Sequence, residues 1–171
     1  VTFACSRQNE VDGVPVIADS FVLVETLRQS WNFSGYVTAD FGAIRRLVET
    51  HFTAETPKDA VLQYIAAGGN MQGFDYAADE GVPPPTVTYQ NAIIDLVAEG
   101  ALPQATLDER VADILRVKAR LGLFDQPLIN ESLAAVYNDA PEHRQLAEDA
   151  AEQVITLLEN RGGVLPLSSE T

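Results

Sequence analysis

Three short β-prone runs, each followed by a stretch with helical spacing of apolar residues, narrow the folds open to this chain. The runs are Val1-Thr2-Phe3-Ala4-Cys5, Tyr36-Val37-Thr38-Ala39 and the segment from Asn70 to Phe74. Between the first two, Asp19 or Ser20 is placed to cap a helix that carries Leu23 and Leu27 on one face and reaches about Trp31, after which Gly35 breaks the chain. After the second run, Ala43 to Thr50 reads as a short helix. Thr56-Pro57-Lys58-Asp59 then combines a capping threonine, a proline at the first helical position and an acid three residues after the cap. Ala60, Val61, Tyr64 and Ile65 continue at helical spacing until Gly68-Gly69 stops the helix. This alternation calls for parallel strands joined by helical crossovers. A complete eight-fold barrel takes roughly 250 residues; three βα units do not close one.

The remainder is helical in pattern. Gly81-Val82-Pro83-Pro84-Pro85 is a rigid loop, and Gln90, Ile93, Ile94 and Val97 mark a helix closed by Gly100. Thr106-Leu107-Asp108-Glu109 has the form of a capping box, with Val111, Ile114, Leu115 and Leu121 expected on one buried face and Gly122 at the end. Residues 123–138 read as a connector. Asp139-Ala140-Pro141-Glu142 opens a last helix carrying Leu146 and Ala150, and Val154 to Leu158 is a denser apolar run. Hydrophobic residues make up 46% of the chain and charged residues 21%, which suits an ordered chain. No apolar run approaches the ~18 residues of a membrane span, and no leader peptide is apparent.

Charge narrows the partners. With 25 acidic residues against 11 basic, the formal charge of -14 opposes nucleic acids and anionic membranes. Cys5 is the only cysteine, so no internal disulfide forms, and in its apolar run it reads as a buried, inert thiol. His51 and His143 stand far apart, without the spacing of a metal site, so neither metal nor cofactor is expected. No GxSxG segment occurs, and no lysine with phosphate-loop spacing follows Gly68-Gly69 or Gly162-Gly163. Asn32-Phe33-Ser34 and Asn130-Glu131-Ser132 match a glycosylation triplet that is common by chance.

Asp40 is the best single candidate for chemistry. It ends an apolar strand and precedes Phe41-Gly42, a turn into a helix. The carboxyl ends of parallel strands hold the reactive groups of such folds. On pattern alone the carboxylate is a general base, a nucleophile, a metal ligand or a cap for the next helix.

The segment Ser34-Gly35-Tyr36-Val37-Thr38-Ala39-Asp40-Phe41-Gly42-Ala43-Ile44 resembles the nucleophile segment of glycoside hydrolase family 3. Other segments are similar to that family in its own order. Asn9-Glu10-Val11-Asp12-Gly13-Val14-Pro15 resembles the loop after the sixth barrel strand, and Leu27-Arg28-Gln29-Ser30-Trp31-Asn32-Phe33 the helix before the nucleophile strand. Ala66-Ala67-Gly68-Gly69-Asn70-Met71 resembles the eighth strand. Arg116-Val117-Lys118 through Leu121-Gly122-Leu123-Phe124-Asp125 resembles the closing barrel helix. Ala150-Ala151, Val154-Ile155-Thr156-Leu157-Leu158-Glu159-Asn160 and Leu165-Pro166-Leu167 resemble the entry to the second domain.

The resemblance implies an α/β fold: residues 1–125 as the last three βα units of a (β/α)8 barrel, and 126–171 as a helical linker and the first strand of a second α/β sandwich domain. It implies retaining hydrolysis of terminal β-D-glucosides or β-D-xylosides, with Asp40 as nucleophile and Phe41, Arg7 and Met71 as sugar contacts. The acid/base glutamate is expected in the second domain. Asp75, Asp79 and Glu80 read as loop charges rather than as that second carboxylate. The chain departs from the family pattern at Ala39, which replaces a serine, and at Phe41, which replaces a tryptophan or tyrosine. It also departs at Asn70, which replaces an aspartate, and at Gln8, which replaces a tyrosine. Phe41 also stands where the subgroup acting on N-acetylglucosaminides has a second aspartate. Gln8 and Asn70 favour a contrasting reading, a non-catalytic half barrel that self-associates through exposed edges.

Overall fold

The computed structural model describes residues 3–6 by their backbone, and residues 9–73 and 88–168 in full. Arg7, Gln8, Phe74, Asp75, Asp79, Glu80 and the 81–85 loop lie outside the described residues. The chain divides into two compact units, Val1–Pro127 and Leu128–Thr171.

The first unit is α/β. Strand β1 (Phe3–Ser6) pairs in parallel with β4 (Tyr36–Ala39), in the register Phe3↔Tyr36 to Ser6↔Ala39. A parallel bridge joins Thr38 to Met71. The three β-prone runs therefore lie side by side in one direction, the third as a single bridge rather than a full strand. Parallel neighbours need crossovers. The first crossover contains a small hairpin, β2 (Glu10–Val11) against β3 (Val14–Pro15), turned by Asp12 and Gly13 at φ 52° and 80°. Two successive positive φ values are the primed-turn geometry that favours Asp-Gly. A 3-10 turn (Val16–Ala18) and a π-helix (Phe21–Ser30) complete the crossover. Asp19 caps the π-helix, its Oδ1 accepting from Phe21 N at 2.9 Å. The second crossover holds α1 (Ala43–Glu49) and α2 (Pro57–Ala66). The α2 start is a full capping box: Asp59 N donates to Thr56 Oγ1 at 3.2 Å, and Thr56 N donates to Asp59 Oδ2 at 3.0 Å. Helices α3 (Tyr89–Ala98) and α4 (Gln104–Arg120) follow.

The two faces of β4 are covered unequally. Val37 and Ala39 are buried, whereas Tyr36 and Thr38 are partly exposed. Val37 packs with Leu23 and Ala67, and Ala39 joins the main core of Ile17, Ile44, Leu47, Val61, Tyr64, Ile65, Leu96 and Leu102. Alternation along the strand therefore sends one set of side chains into the helices and the other to an open face.

A polar hub fixes the amino-terminal ends of these strands. Asn70 is buried, and its side chain uses all of its hydrogen-bonding capacity. Its Oδ1 accepts from Val37 N at 2.8 Å and from Arg28 Nη2 at 2.8 Å. Its Nδ2 donates to Arg110 O at 2.8 Å and to Asp113 Oδ2 at 3.0 Å. Arg28 also donates to Gly35 O at 3.1 Å and pairs with Asp113 at 3.1 Å. Burial lowers the Arg28 pKa, with Asp113 opposing that shift. Arg116 holds the other Asp113 oxygen at 2.9 Å. One amide thus ties the π-helix, β4 and α4 together.

That hub corrects the expected face of α4. Val111, Leu115 and Leu121 are exposed; the inner stripe is Leu107, Arg110, Asp113, Ile114 and Val117. Arg110 and Asp113 face inward because their partner is polar. The helix also starts earlier than the expected capping box, at Gln104 after Pro103, so Thr106 lies in the first turn and is not its cap. In α3 the buried residues are Ala92 and Leu96, with Ile94 outside, and Thr88 is the cap.

In the second unit, α5 (Ser132–Tyr137) occupies what the sequence suggests is connector. Asn130 Oδ1 starts it by accepting from Ser132 N at 3.1 Å and Ser132 Oγ at 2.8 Å. Helix α6 (Pro141–Val154) begins with proline in its first turn, as expected. The apolar run after it, Ile155 to Leu158, forms no strand among the described residues. A strand needs a neighbour for its N–H and C=O groups, and none is described beside it.

Leu47→Ala should lower the stability of the folded chain by roughly 2–5 kcal/mol through cavity formation. Leu115→Ala should stay within about 0.5 kcal/mol, as for other exposed positions. Denaturant midpoints test both, and equal losses at the two sites would contradict the burial pattern. Asn70→Ala, which removes one buried and three part-buried hydrogen bonds, should cost about 2–4 kcal/mol. A midpoint shift smaller than that of Leu115→Ala would remove Asn70 as the hub.

Candidate active site

Asp40 follows the last residue of β4 and continues its alternation on the open face, with Tyr36 and Thr38. The strand stops there because the chain turns. Ala43 N donates to Asp40 O at 3.1 Å, closing a four-residue turn with Gly42 in its third place at φ 67° and ψ 2°. A positive φ at that position defines a type II turn and explains the glycine. Helix α1 starts at the next residue, Ala43, which is itself buried.

The Asp40 side chain does not cap α1 in the usual way. Its Oδ1 accepts from the N–H of the adjacent residue, Phe41, at 2.8 Å. Among the described residues no donor reaches Oδ2. One oxygen is thus oriented by the backbone. The sequence left four roles open for this carboxylate. The helix cap is the least consistent with this geometry, because Gly42, not Asp40, occupies the position before the helix and no side chain caps it.

The other expected site residues fall as follows. Phe41 is exposed and follows Asp40 directly in the turn. Met71 is exposed and bridged to Thr38, two residues upstream of Asp40, so it lies on the same ribbon end. Arg7 lies outside the described residues, as do the acidic residues considered for a second carboxylate. Asn70 belongs to the opposite end: it bonds Val37 N at the start of β4, three residues before Asp40, or about 10 Å at strand rise. Its replacement of an aspartate therefore falls in the polar hub.

Sequence reasoning passed over Tyr64. Its hydroxyl donates toward Met71 O at 2.9 Å and Val37 O at 3.1 Å, bolting the third β segment to β4 from the helix side. Burial raises its pKa far above the ordinary phenol value, so it stays protonated. Its signal was present only as one more apolar position in the α2 pattern. His51 contacts Glu10 at 2.6 Å, away from Asp40, and no group of three His, Cys, Asp or Glu residues able to hold a metal ion occurs among the described residues.

Residues 4–117 match the pattern of the glycosyl hydrolase family 3 N terminal domain. A lysosomal beta glucosidase of Dictyostelium discoideum is 34% identical over 96% of this chain and 19% of its own length. A beta-xylosidase of Formosa agariphila is 29% identical over 92% of this chain and 21% of its own length. The crystal structure of a beta-glucosidase from Listeria innocua in complex with isofagomine superimposes with a TM-score of 0.74, at 30% identity, covering 94% of this chain and 21% of that one. The chain spans about a fifth of the length of the curated relatives it matches. The turn after β4, the parallel ribbon that carries it and the matched span agree: the chain belongs to glycosyl hydrolase family 3.

Proposed function

We propose that this chain supplies the nucleophile of a retaining glycosidase that hydrolyses terminal, non-reducing β-D-glucosides or β-D-xylosides. The observation that carries the reading is the Asp40 carboxylate at the carboxyl end of a parallel strand, with Oδ1 accepting from Phe41 N and no donor to Oδ2 among the described residues. Residues 1–125 are read as the last three βα units of a (β/α)8 barrel, and 126–171 as the linker and entry to a second α/β domain. The open face of β4 is then the barrel interior, closed by strands that lie elsewhere in the protein. In the isolated chain, the same face and the free edges of the ribbon favour self-association.

In the first step an Asp40 oxygen attacks the anomeric carbon while the bond to the leaving oxygen breaks. A general acid gives that oxygen its proton. In the second step the same group, now a base, takes a proton from water as the water displaces Asp40. The two carboxyl groups of a retaining site stand about 5 Å apart. The acid is assigned to the second domain, in line with the family resemblance. Phe41, Met71 and Arg7 are assigned to the sugar, the first two as an apolar border beside the nucleophile. Relatives named for glucosides and xylosides support that substrate class, and the neutral sugar suits the acidic chain. The contrasting half-barrel reading loses its support from Asn70, whose amide serves the hub.

Two outcomes test the proposal. Asp40→Asn in the full-length protein should lower kcat at least about a thousand-fold while leaving the melting midpoint in place; a retained rate would remove Asp40 from the mechanism. Incubation with an activated 2-deoxy-2-fluoro glycoside should add one sugar mass, mapped to the peptide containing Asp40. An adduct on another residue would relocate the nucleophile.

A further inference from the structure

Among the described glycines, Gly73 is the one whose missing side chain lies against the backbone of the candidate nucleophile. The third β segment is bonded to β4 through Met71: Met71 N donates to Val37 O at 3.1 Å, and Ala39 N donates to Met71 O at 2.8 Å. Beyond that last rung, Gly73 runs beside the point where β4 becomes the Asp40 turn. A methyl carbon on Gly73 would overlap the Ala39 carbonyl oxygen and stand 3.1 Å from the Asp40 carbonyl carbon and 3.2 Å from its oxygen. All three are main-chain atoms, so none can swing aside as a side chain would. The Asp40 carbonyl is also committed to Ala43 N, and the Ala39 amide to Met71 O. Nor is glycine needed here for its dihedral freedom, since Gly73 is not among the residues with positive φ. Close approach of two backbones is the remaining reason for a glycine in a strand. The other tight glycines meet side chains instead: Gly69 faces the Tyr64 ring, and Gly68 faces Val24.

We propose that Gly73 is a positioning residue for Asp40: its bare Cα lets the end of the third β segment seat against the Asp40 carbonyl and so sets the reach of the carboxylate. The proposal rests on Asp40 being the nucleophile. An added methyl would push the turn away from the third segment while leaving the Phe41 N–H bond to Oδ1 intact, because that bond is local to the turn. The displaced carboxylate would still be ionised and oriented, but misplaced with respect to the sugar carbon.

The test uses the full-length protein and a dinitrophenyl glycoside, whose leaving group needs little protonation. Gly73→Ala should lower the rate constant for glycosyl-enzyme formation about 10–100-fold with KM little changed, the scale expected for a displacement of about 1 Å. The inactivation rate constant with the 2-deoxy-2-fluoro analogue is read per folded molecule, so a poorly folding variant is still measured. Asp40→Gly with added azide supplies the control: azide attacks the anomeric carbon, a C–N bond forms, and dinitrophenolate leaves. In that background Gly73→Ala should leave the azide-dependent rate unchanged, because there is no carboxylate to place. An equal loss with azide, a wild-type rate constant for Gly73→Ala alone, or complete failure of that variant to fold would overturn the positioning role. Full activity of Asp40→Gly without azide would instead overturn the nucleophile assignment, separating the two failures.

Discussion

The amide of Asn70 makes four hydrogen bonds in a buried place, and the geometry at the far end of β4 depends on them. A buried amide with every donor and acceptor satisfied costs little and allows few alternatives. Here the partners belong to three elements: the π-helix through Arg28, β4 through Val37 and α4 through Arg110 and Asp113. Sliding β4 along its neighbour by one residue would break the bond to Val37 N and turn Val37 and Ala39 out of the core. Tyr64 adds two contacts from α2 to the same pair of strands. Register is therefore set by polar bonds at one end of the ribbon and by apolar burial along it, and Asp40 inherits its position from both.

Along β4 the two faces are buried unequally among the described residues, which separates structural from chemical demands. Residues facing the helices have nowhere to go but the core. Residues on the other face are free to be polar, and Asp40 is among them. The turn then fixes the carboxylate by backbone means: Gly42 supplies the positive φ, Phe41 supplies an N–H, and Gly73 supplies room. No side chain among the described residues holds Asp40. On the proposed assignment, a nucleophile held this way is oriented through the backbone, with no competing side chain among the described residues.

The order of elements was legible because the signals were local. The Thr56-Pro57-Lys58-Asp59 cap, the Tyr36–Ala39 run and the glycines that stop helices each act within a few residues, and each appears where the pattern places it. Asp12-Gly13 is a comparable hairpin signal, written just as locally. The face of α4 was not legible, because Val111 and Leu115 follow a regular apolar spacing that the buried Asn70 overrides by drawing Arg110 and Asp113 inward. At the site, Asp40 was visible from its position after a strand. Tyr64 and Gly73 were not, since one looks like ordinary helix core and the other like any loop glycine until the partner backbone is beside it.

On the proposed reading, the same distinction lets this stretch carry the nucleophile's half of a reaction. A nucleophile must be placed closely, and among the described residues the contacts made by the Asp40 turn itself come from Phe41, Ala43 and Gly73. An acid/base group tolerates a different arrangement, because a proton can be delivered from a residue anchored on another element. On the proposed assignment, this division leaves the attacking carboxylate in the more constrained setting: a strand end, a glycine turn and a backbone contact. The second carboxylate, sugar selectivity and water access can then be assigned to surfaces that vary without disturbing it. Asp40 shares its face of β4 with Thr38, which is bridged to Met71. The rungs between β4 and Met71 are the ones that lie nearest the Asp40 turn.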